Sequence, residues 1–424
     1  MLENSISDFG NAATTRADAI VLGAGIVGTS VALHLVKRGL SVVLVDRRGP
    51  GEETSYGNAG IVEGNTIFPH AFPNDLSALT HVAFKRASGT NYHLSFLPRV
   101  APWLLAFRRA SQPERLLDTA RTMRPLFARA VAEHETLLAE SGASRYLRKT
   151  GWLKLYRSDG AFAATATERG VANDWGIEHR VMDVDETRAL EPSLMPAFRQ
   201  ALHWTGAASL SNPLAVTRAY AARFQALGGR VLQADARTLE RVAGGWQIDG
   251  VRAPQAVVAL GPWSLDVLKP LGLAFPLAIK RGYHAHYRFQ GNATLERPVV
   301  DIENGYCVAP MEQGFRITTG AEFAARDAAP TPVQLDRVLP AAEQLFPLGE
   351  KIDAAPWMGS RPCFADSRPL IGRAPGRAGL WLAFGHGHSG LTLGPATGRL
   401  LAEMIAGETP FCDPAPYGPQ RFAL

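Results

Sequence analysis

The chain has 424 residues, about two to three times the length of a typical domain, so a large core and more than one domain are expected. With 46% hydrophobic and 20% charged residues, its composition excludes fibrous, disordered and disulfide-rich proteins. The net charge of +5 comes from interspersed basic and acidic residues, so we expect no nucleic-acid partner; an anionic small molecule or a negatively charged membrane surface suits it as well.

Cysteine usage and the N-terminal sequence indicate where the protein works. Cys307, Cys363 and Cys412 lie too far apart for a disulfide framework or a zinc site, which predicts a reducing compartment and no metal. No secretory signal and no run of about 18 apolar residues is found. We therefore expect a cytoplasmic protein in which residues 1–16 form a flexible leader.

A strand, a glycine-rich turn, a helix and a second strand open the ordered chain. Residues 19–22 and 40–45 are apolar runs, and residues 26–38 carry apolar side chains at helical spacing. The turn between them fits the dinucleotide fingerprint, in which the first glycine permits a tight turn, the second lets the backbone approach a pyrophosphate and the third allows close helix packing. These glycines are Gly23, Gly25 and Gly28.

The residues around this turn complete a nucleotide site. Ile26 and Val27 begin the helix, whose free N–H groups favour phosphates. Asp46 ends the second strand, where its carboxylate can accept hydrogen bonds from ribose hydroxyls, and an acid there disfavours NADP despite the adjacent Arg47. The pattern predicts a dinucleotide but does not by itself choose between NAD and FAD.

The rest of the chain predicts helices, then returning strands, then a second sheet. Residues 69–140 look helical, residues 230–239 and 256–260 predict strands that rejoin the first sheet, and residues 275–325 alternate as in an antiparallel sheet with one solvated face. Residues 93–109 combine large apolar side chains with arginines, which fits an interfacial membrane helix that would pass electrons to a quinone. A helix packed on the protein's own core is the alternative.

A second glycine-rich turn at residues 385–390 indicates a flavin. It lies too near the C-terminus to open another nucleotide domain, but its N–H groups can stabilise negative charge on a reduced flavin ring. We predict that its flavin contacts are Gly387, His388, Gly390, Leu391 and Thr392. A buried flavin must also be gripped by a distant segment, and residues 54–60 offer hydroxyls, an amide and glycines for this: Thr54, Ser55, Gly57, Asn58, Ala59 and Gly60.

At this point the chain resembles the D-amino-acid oxidase superfamily of FAD-dependent oxidoreductases, and within it the D-amino-acid dehydrogenase branch. The matching segments are the first turn with Asp46 and residues 54–60, 257–264, 359–362 and 385–398, in the family's order. The resemblance implies that Gly261 and Trp263 lie beside the pyrophosphate, that Ala236 meets the adenine and that Arg361 binds the substrate carboxylate. Tyr283, Tyr306 and His388 are further candidates for substrate contact.

The fold class that follows is α/β (α+β). Residues 17–68, 206–270 and 355–410 are expected to form a Rossmann-like FAD-binding domain with a parallel sheet. Residues 69–205 and 271–354 are expected to form a substrate-binding domain with a mixed or antiparallel sheet and a helical cover.

The resemblance implies FAD-dependent oxidative deamination of a D-amino acid. A hydride would pass from Cα to flavin N5, the imine would hydrolyse to a 2-oxo acid, and the electrons would go to quinone or another acceptor. A sarcosine-oxidase-like or D-hydroxyproline-type amine oxidoreductase is the alternative. A tRNA-modifying flavoprotein and a non-catalytic nucleotide-binding module are more distant ones. A peripheral position on the inner face of the cell membrane would suit the quinone.

Overall fold

The structure is a computed structural model that describes residues 15–65, 67–73, 76–84 and 87–422, with only the backbone described for residues 76–79. Most of the expected leader lies outside these ranges. The last two residues of the expected leader, Thr15 and Arg16, do not fit the prediction of a flexible leader. They form a strand that pairs in parallel with Val251 and Arg252.

The helices of the described ranges cover mainly the first half of the chain and its C-terminal end. In chain order they are α1 (Ile26–Val36), α2 (Leu76–Ala83), α3 (Leu97–Ala110), α4 (Pro113–Glu140), α5 (Asp159–Ala163), α6 (Ala166–Asp174), α7 (Val184–Leu190), α8 (Pro213–Ala226), α9 (Ser264–Leu268), α10 (Val333–Leu345) and α11 (Gly390–Ala406). None of these helices is both long enough and apolar enough to cross a membrane.

The strands of the described ranges build four sheets. In chain order they are β1 (Thr15–Arg16), β2 (Ala19–Leu22), β3 (Val42–Asp46), β4 (Ile61–Val62), β5 (Thr90–Tyr92), β6 (Leu147–Arg148), β7 (Trp152–Tyr156), β8 (Arg180–Met182), β9 (Gln200–Trp204), β10 (Ala208–Leu210), β11 (Arg230–Gln233), β12 (Glu240–Val242), β13 (Gly245–Ile248), β14 (Val251–Ala253), β15 (Gln255–Val258), β16 (Ala278–Phe289), β17 (Val299–Asp301), β18 (Tyr306–Met311), β19 (Gly314–Thr319), β20 (Ala321–Phe323), β21 (Leu348–Lys351), β22 (Trp357–Cys363), β23 (Leu370–Arg373) and β24 (Leu380–Phe384).

The first large unit is a six-stranded sheet, here called the parallel sheet, with the order β11-β3-β2-β15-β24-β23. All its neighbouring pairs are parallel except β23 with β24. The strands β2 and β24 are buried along their whole lengths, and β15 is buried from Ala256 onward, as apolar runs covered on both faces require. The α/β architecture predicted from the sequence is confirmed.

Helices α1, α8 and α11 pack together on one face of the parallel sheet. Gly398 of α11 makes the contact with α1 close, because a Cβ at this position would lie 2.6 Å from the Ser30 carbonyl carbon. The N-termini of both helices are thereby held at the same end of the sheet, where the strands β2 and β24 end.

The second large unit is an eleven-stranded mixed sheet, here called the large sheet. Its central path runs β5-β20-β16-β19-β18-β17-β7-β9-β8, and β21 and β22 pair with the long strand β16. Helix α10 covers one face through a core that includes Leu335 and Val338. The strand β22 falls in the segment 355–410 expected for the FAD domain, yet it pairs with β16 over seven residues and so is part of the large sheet.

Candidate active site

A cavity of about 1830 Å³ lies between the two large units. It exceeds the roughly 300–1,000 Å³ of most small-molecule sites, so it has room for an extended dinucleotide together with a substrate. Asp46, Ala236 and His388 line it from segments that follow strands of the parallel sheet, and Arg361 lines it from the large sheet.

Two glycines of the first turn have no room for a side chain. Gly23 has a φ of +103°, and a Cβ there would lie 2.5 Å from the Ala259 carbonyl oxygen. A Cβ on Gly28 would lie 1.8 Å from the Gly23 carbonyl oxygen. The glycines hold β2, β15 and α1 together, and they leave the N-terminus of α1 open to the cavity.

Asp46 fixes the shape of this turn and faces the cavity. Its two oxygens accept hydrogen bonds from the backbone N–H groups of Ala24, at 2.7 Å, and Arg48, at 3.0 Å. A carboxylate has about four acceptor positions, so Asp46 keeps capacity for ribose hydroxyls.

Next to this acid the cavity wall is formed by the residues expected to flank adenine and pyrophosphate. The Arg47 guanidinium lies 4.7 Å from the ring centroid of Trp263 and forms an ion pair with Glu53 at 3.0 Å. Ala236 lies in a short 3₁₀ turn after β11, and Gly261, with a φ of +54°, begins another after β15. The structure therefore brings together one end of the predicted nucleotide site.

The segment at residues 54–60 ties the first turn to the large sheet. The Ile26 N–H donates to Ser55 Oγ at 2.9 Å, and the Thr54 hydroxyl donates to the Ser360 carbonyl oxygen at 3.0 Å. Within the segment, Asn58 Oδ1 accepts a hydrogen bond from the Gly60 N–H at 2.8 Å. Gly57 and Ala59 also border the cavity.

Arg316, which the sequence analysis did not single out, supports this segment from the large sheet. Its Nη1 donates to the carbonyl oxygens of Tyr56, at 2.8 Å, and Asn58, at 2.5 Å, and its Nε donates to His286 at 3.0 Å. Burial lowers the pKa of Arg316 to about 10, so the side chain is charged at neutral pH.

His284, His286 and Asp353 lie close enough together to suggest a metal site, with ligand atoms within 4.8 Å of one another. However, His286 is already bonded on both sides, to Asp353 at 2.9 Å and to Arg316 at 3.0 Å. The guanidinium supplies the positive charge of this group, and His284 stacks on Trp357 with ring centroids 4.8 Å apart. The arrangement is that of a packed polar cluster.

The second glycine-rich turn joins β24 to α11 at the far side of the cavity. Gly385 and Gly387 have φ values of +83° and +61°, which favour glycine, and the Gly387 N–H donates to the Pro362 carbonyl oxygen at 2.8 Å. Gly390 and Leu391 begin α11, and the Thr392 hydroxyl donates to the Ile61 carbonyl oxygen at 3.1 Å. The helix N-terminus therefore opens on the cavity beside residues 54–60.

His388 lies in this turn, with its ring centroid 4.4 Å from that of His70. Burial and then the neighbouring His70 lower the pKa of His388 well below its usual range. His70 faces the cavity, where desolvation and then Lys280 lower its pKa to about 4. Both imidazoles are therefore neutral at pH 7. The sequence analysis had not singled out His70.

Arg361 is the substrate-binding candidate on β22, opposite Lys280 of β16. Its side chain passes over Gly282, where a Cβ would lie 2.4 Å from Nη2. The guanidinium donates to the carbonyl oxygens of Gly320 at 2.7 Å and Thr319 at 3.1 Å. Among the described residues Arg361 forms no ion pair, so these residues supply no salt bridge that would account for its position. Its charge is free to bind a carboxylate.

The two tyrosine candidates pack on the opposite face of the large sheet. Tyr283 and Tyr306 belong to the core under α10. Cys307, the residue after Tyr306, packs toward Ala59 on the other face, because alternate side chains of a strand point to opposite faces. Both tyrosines also border the cavity, so their assignment to substrate contact stays a prediction.

The hydroxyl of Tyr283 is fully hydrogen-bonded within the protein. It donates to Glu322 at 2.6 Å and accepts from the Thr331 N–H at 2.8 Å and from Arg281 at 3.2 Å. One donor and two acceptor positions are all that a phenol offers. Tyr306 lies opposite Asp301 in the sheet, and burial raises its pKa.

These features fit FAD. A side chain cannot replace hydrogen at Gly23 or Gly28, an acid stands where a ribose would bind, and two helix N-termini open on one cavity. Residues 54–60 and 385–392 both border that cavity and would enclose a flavin ring between the two sheets.

Comparison with known proteins agrees with this geometry. The sequence model of a family described as "FAD dependent oxidoreductase" (DAO) matches residues 18–404. The D-amino acid dehydrogenase 2 of Ralstonia nicotianae is 32% identical over 428 residues, which cover 95% of this chain and 99% of that protein. The D-amino-acid oxidase of Bradyrhizobium diazoefficiens is 29% identical over 415 residues, with 95% and 98% covered.

The fold also recurs in solved structures. The crystal structure of glycine oxidase from Geobacillus kaustophilus superimposes with a TM-score of 0.74 at 22% identity, covering 97% of this chain and all of that one. At this identity the likeness shows the shared fold alone.

Proposed function

The chain belongs to the DAO family of FAD-dependent oxidoreductases, and we propose that it oxidises a D-amino acid to a 2-oxo acid. The names of its relatives support a D-amino acid substrate. The observation that carries the proposal is the Arg361 guanidinium, which lies in the cavity without a carboxylate partner among the described residues.

The reaction removes two electrons and one proton from the substrate as a hydride. As the Cα–H bond breaks, the amine lone pair forms a C=N bond, and water then hydrolyses the imine to the 2-oxo acid and ammonia. Bound FAD supplies the hydride acceptor, and the electrons pass on to an oxidant. Quinone is the acceptor we propose.

Arg361 orients the substrate in this scheme. A planar guanidinium can form two parallel hydrogen bonds with a carboxylate, which fixes the plane of the carboxylate and therefore the direction of the Cα–H bond. The carbonyl oxygens of Gly320 and Thr319 hold the guanidinium in place beforehand, so little side-chain freedom is lost on binding.

His70 and His388 set the charge around the amine. Because the pKa values of both imidazoles are lowered, they add no positive charge at neutral pH beside a substrate amine that must lose its proton before oxidation. A neutral imidazole nitrogen can also accept a hydrogen bond from that amine. We assign no general base.

Anaerobic flavin reduction tests the proposal. The FAD-loaded protein is mixed with D- and L-amino acids, prolines and N-methyl amino acids, and loss of flavin absorbance is recorded. Bleaching by D-amino acids is expected. Bleaching by glycine or N-methyl amino acids alone would instead favour the glycine- or sarcosine-oxidase-like alternative, which the structural likeness to a glycine oxidase supports.

Replacement of Arg361 tests the residue on which the proposal depends. Arg361→Lys keeps the charge but loses the paired hydrogen bonds, and we expect kcat/KM for the substrate to fall about 10- to 100-fold, because charge-assisted hydrogen bonds contribute roughly 1.5–3 kcal/mol. FAD content should stay at the wild-type level. Unchanged kinetic constants would contradict the role of Arg361.

We propose that the exposed side of α3 contacts a membrane, which would allow electron transfer to a quinone there. Trp103 and Phe107 pack inward, so one face of this helix does cover the protein's own core. Leu94 before the helix and Leu105 within it are 67% and 59% exposed, and Arg108 follows on the surface. Apolar side chains beside arginine suit an anionic membrane surface.

Vesicle sedimentation measures this contact. The protein should sediment with vesicles that contain anionic lipid, and a Leu94→Ser and Leu105→Ser double variant should remain in the supernatant while keeping its amino-acid oxidation with a soluble dye. Equal sedimentation of the wild type and the variant would remove the membrane proposal.

A further inference from the structure

A second cation, Lys280, lies beside Arg361 in the cavity. The two residues are direct partners across β16 and β22, so their side chains leave the same face of the sheet. The Cβ atoms of such partners lie roughly 4.5–5.5 Å apart. Lys280 lines the cavity and, like Arg361, forms no ion pair with any described residue.

Three aromatic rings position the Lys280 ammonium. Its Nζ lies 4.3 Å from the ring centroid of Phe107, 4.9 Å from that of Trp103 and 5.8 Å from that of Phe323. The Trp103 indole is itself fixed, because its N–H donates to the Cys363 carbonyl oxygen at 3.1 Å. Ring faces attract a cation but carry no net charge, so they hold the ammonium without neutralising it.

Among the described residues, the other titratable groups that act on Lys280 and His70 contribute no unpaired negative charge. Burial raises the pKa of the Cys363 thiol, which is therefore neutral, and the lowered pKa values of His70 and His388 keep both rings neutral. Lys154, the third cation that faces His70, is paired with Glu168 at 2.9 Å. Two adjacent, partly buried cations of this cavity thus have no carboxylate partner among the residues that the structure describes, and a ligand with a negative charge would supply one.

We propose that Lys280 binds a second carboxylate of the substrate, so that the preferred substrate is an amino acid with an acidic side chain. The inference rests on the proposed function, in which Arg361 takes the α-carboxylate. The distance between the two side-chain origins suits a short dicarboxylate. The second carboxylate takes no part in the bond changes: the hydride still leaves Cα, and the product is a 2-oxo diacid.

The kinetic test compares each acid with its amide, which has nearly the same shape but no charge. For the FAD-loaded wild type we expect kcat/KM to be at least about tenfold higher for aspartate than for asparagine, and likewise for glutamate over glutamine, because a charge-assisted hydrogen bond is roughly twice as strong as a neutral one. In Lys280→Met, whose apolar chain suits the aromatic rings, this acid-to-amide ratio should fall to about one.

Two control variants accompany Lys280→Met. Lys280→Arg keeps a cation and should keep part of the acid preference. Lys269→Met removes an exposed lysine just after α9, outside the cavity lining, and should leave the ratio unchanged. An acid-to-amide ratio that is the same in the wild type and in Lys280→Met would overturn the inference while leaving the proposed function intact.

A binding measurement separates this inference from turnover. Succinate and butyrate have the same carbon chain but carry two and one carboxylates, and their binding is followed by the change in flavin absorbance. Succinate should bind the wild type more tightly, and Lys280→Met should remove the difference. If no amino acid reduces the flavin but this pattern holds, the proposed function fails and the Lys280 site stands.

One further outcome would reassign Lys280. If Lys280→Met weakens acid and amide substrates equally and changes the flavin spectrum without any ligand, Lys280 balances charge on the cofactor ring, and the inference is wrong.

Discussion

At the scale of single residues, Gly282 decides whether the Arg361 guanidinium can reach the cavity. A Cβ at Gly282 would lie 2.4–2.6 Å from three guanidinium atoms. The clash is with the end of a flexible side chain, so the fold can tolerate it, but the guanidinium must move away from the carbonyl oxygens of Thr319 and Gly320.

Gly282→Ala should therefore weaken substrate binding by Arg361 without removing it. We expect kcat/KM for the amino-acid substrate to fall about 10-fold or more, since misplacing the guanidinium weakens charge-assisted hydrogen bonds worth roughly 1.5–3 kcal/mol. FAD content and the unfolding temperature should change little. Gly170→Ala is the control, because an added Cβ in α6 meets no atom within 4 Å. Full activity of Gly282→Ala would contradict this role.

The residue-level predictions that rest on a local pattern are the ones whose residues the structure places side by side. The glycines around Gly23 and the acid at Asp46 lie within one strand–turn–helix–strand unit, and the structure brings them together at one end of the cavity. The direction of Tyr283 and Tyr306 could not be read in the same way, because it depends on which face of the sheet α10 covers.

At the scale of elements, the contact between α1 and α11 fixes the N-termini of these two helices relative to each other at the cavity. Gly398 lies against the backbone of Ser30, with an added Cβ only 2.6–2.8 Å from its carbonyl carbon and oxygen. Backbone atoms cannot rotate away, so a larger residue must push the helices apart.

Gly398→Ala should weaken the binding of FAD. Overpacking of this kind typically costs about 1–3 kcal/mol, and the displaced N-terminus of α11 carries residues that line the cavity. We expect a lower unfolding temperature and a higher dissociation constant for FAD. The dissociation constant is measured by fluorescence as FAD is added back to the protein from which it was removed. Ala406→Ser, on the exposed end of the same helix, is the control. FAD affinity equal to wild type would show that the contact does not position the site.

The element that sequence analysis placed least well is β22. Its Arg361 motif was recognisable, but its pairing with β16 was not, because register between distant strands leaves no local periodicity. The same pairing places Lys280 beside Arg361. Alternation along a strand places Lys280 and Gly282 on the same face, but it does not identify the neighbouring strand that they contact there.

At the scale of the whole molecule, several buried histidines make stability depend on pH. Burial lowers the pKa of His34 and His386 to about 3, of His134 to about 4 and of His284 to about 2. Below the unfolded value of 6.5 the unfolded chain takes up protons that the folded chain does not. Stability is therefore present above pH 6.5 and is lost as the pH falls toward these lowered values.

Unfolding temperatures at pH 7.5, 6.5 and 5.5 test this dependence. Each such histidine can contribute up to about 1.4 kcal/mol per pH unit below 6.5. His34→Leu should flatten the dependence, because it removes one of these groups, and His34 Nε2 has no hydrogen-bond partner among the described residues. The same loss between pH 6.5 and 5.5 in His34→Leu and the wild type would contradict the role of His34.

The overall architecture was predictable because composition and periodicity differ between its parts. Continuous apolar runs indicated the parallel sheet, and alternation over residues 275–325 indicated the antiparallel part of the large sheet; both sheets are confirmed. The solvated face expected for residues 275–325 is wrong, because β18 and β19 are buried along their whole lengths. The size of the large sheet was not foreseen, since β7, β8 and β9 join it from a region without clear alternation.

The order of strands in the parallel sheet constrains how the chain is made. β15 lies between β2, from the start of the chain, and β24 (Leu380–Phe384). The edge of β15 that pairs with β24 therefore has no hydrogen-bonded neighbour until almost the whole chain has left the ribosome. An uncovered apolar strand is prone to aggregate. During translation, this half-built sheet is therefore the segment that a chaperone would be needed to shield, and the cofactor can bind fully only after synthesis is nearly complete.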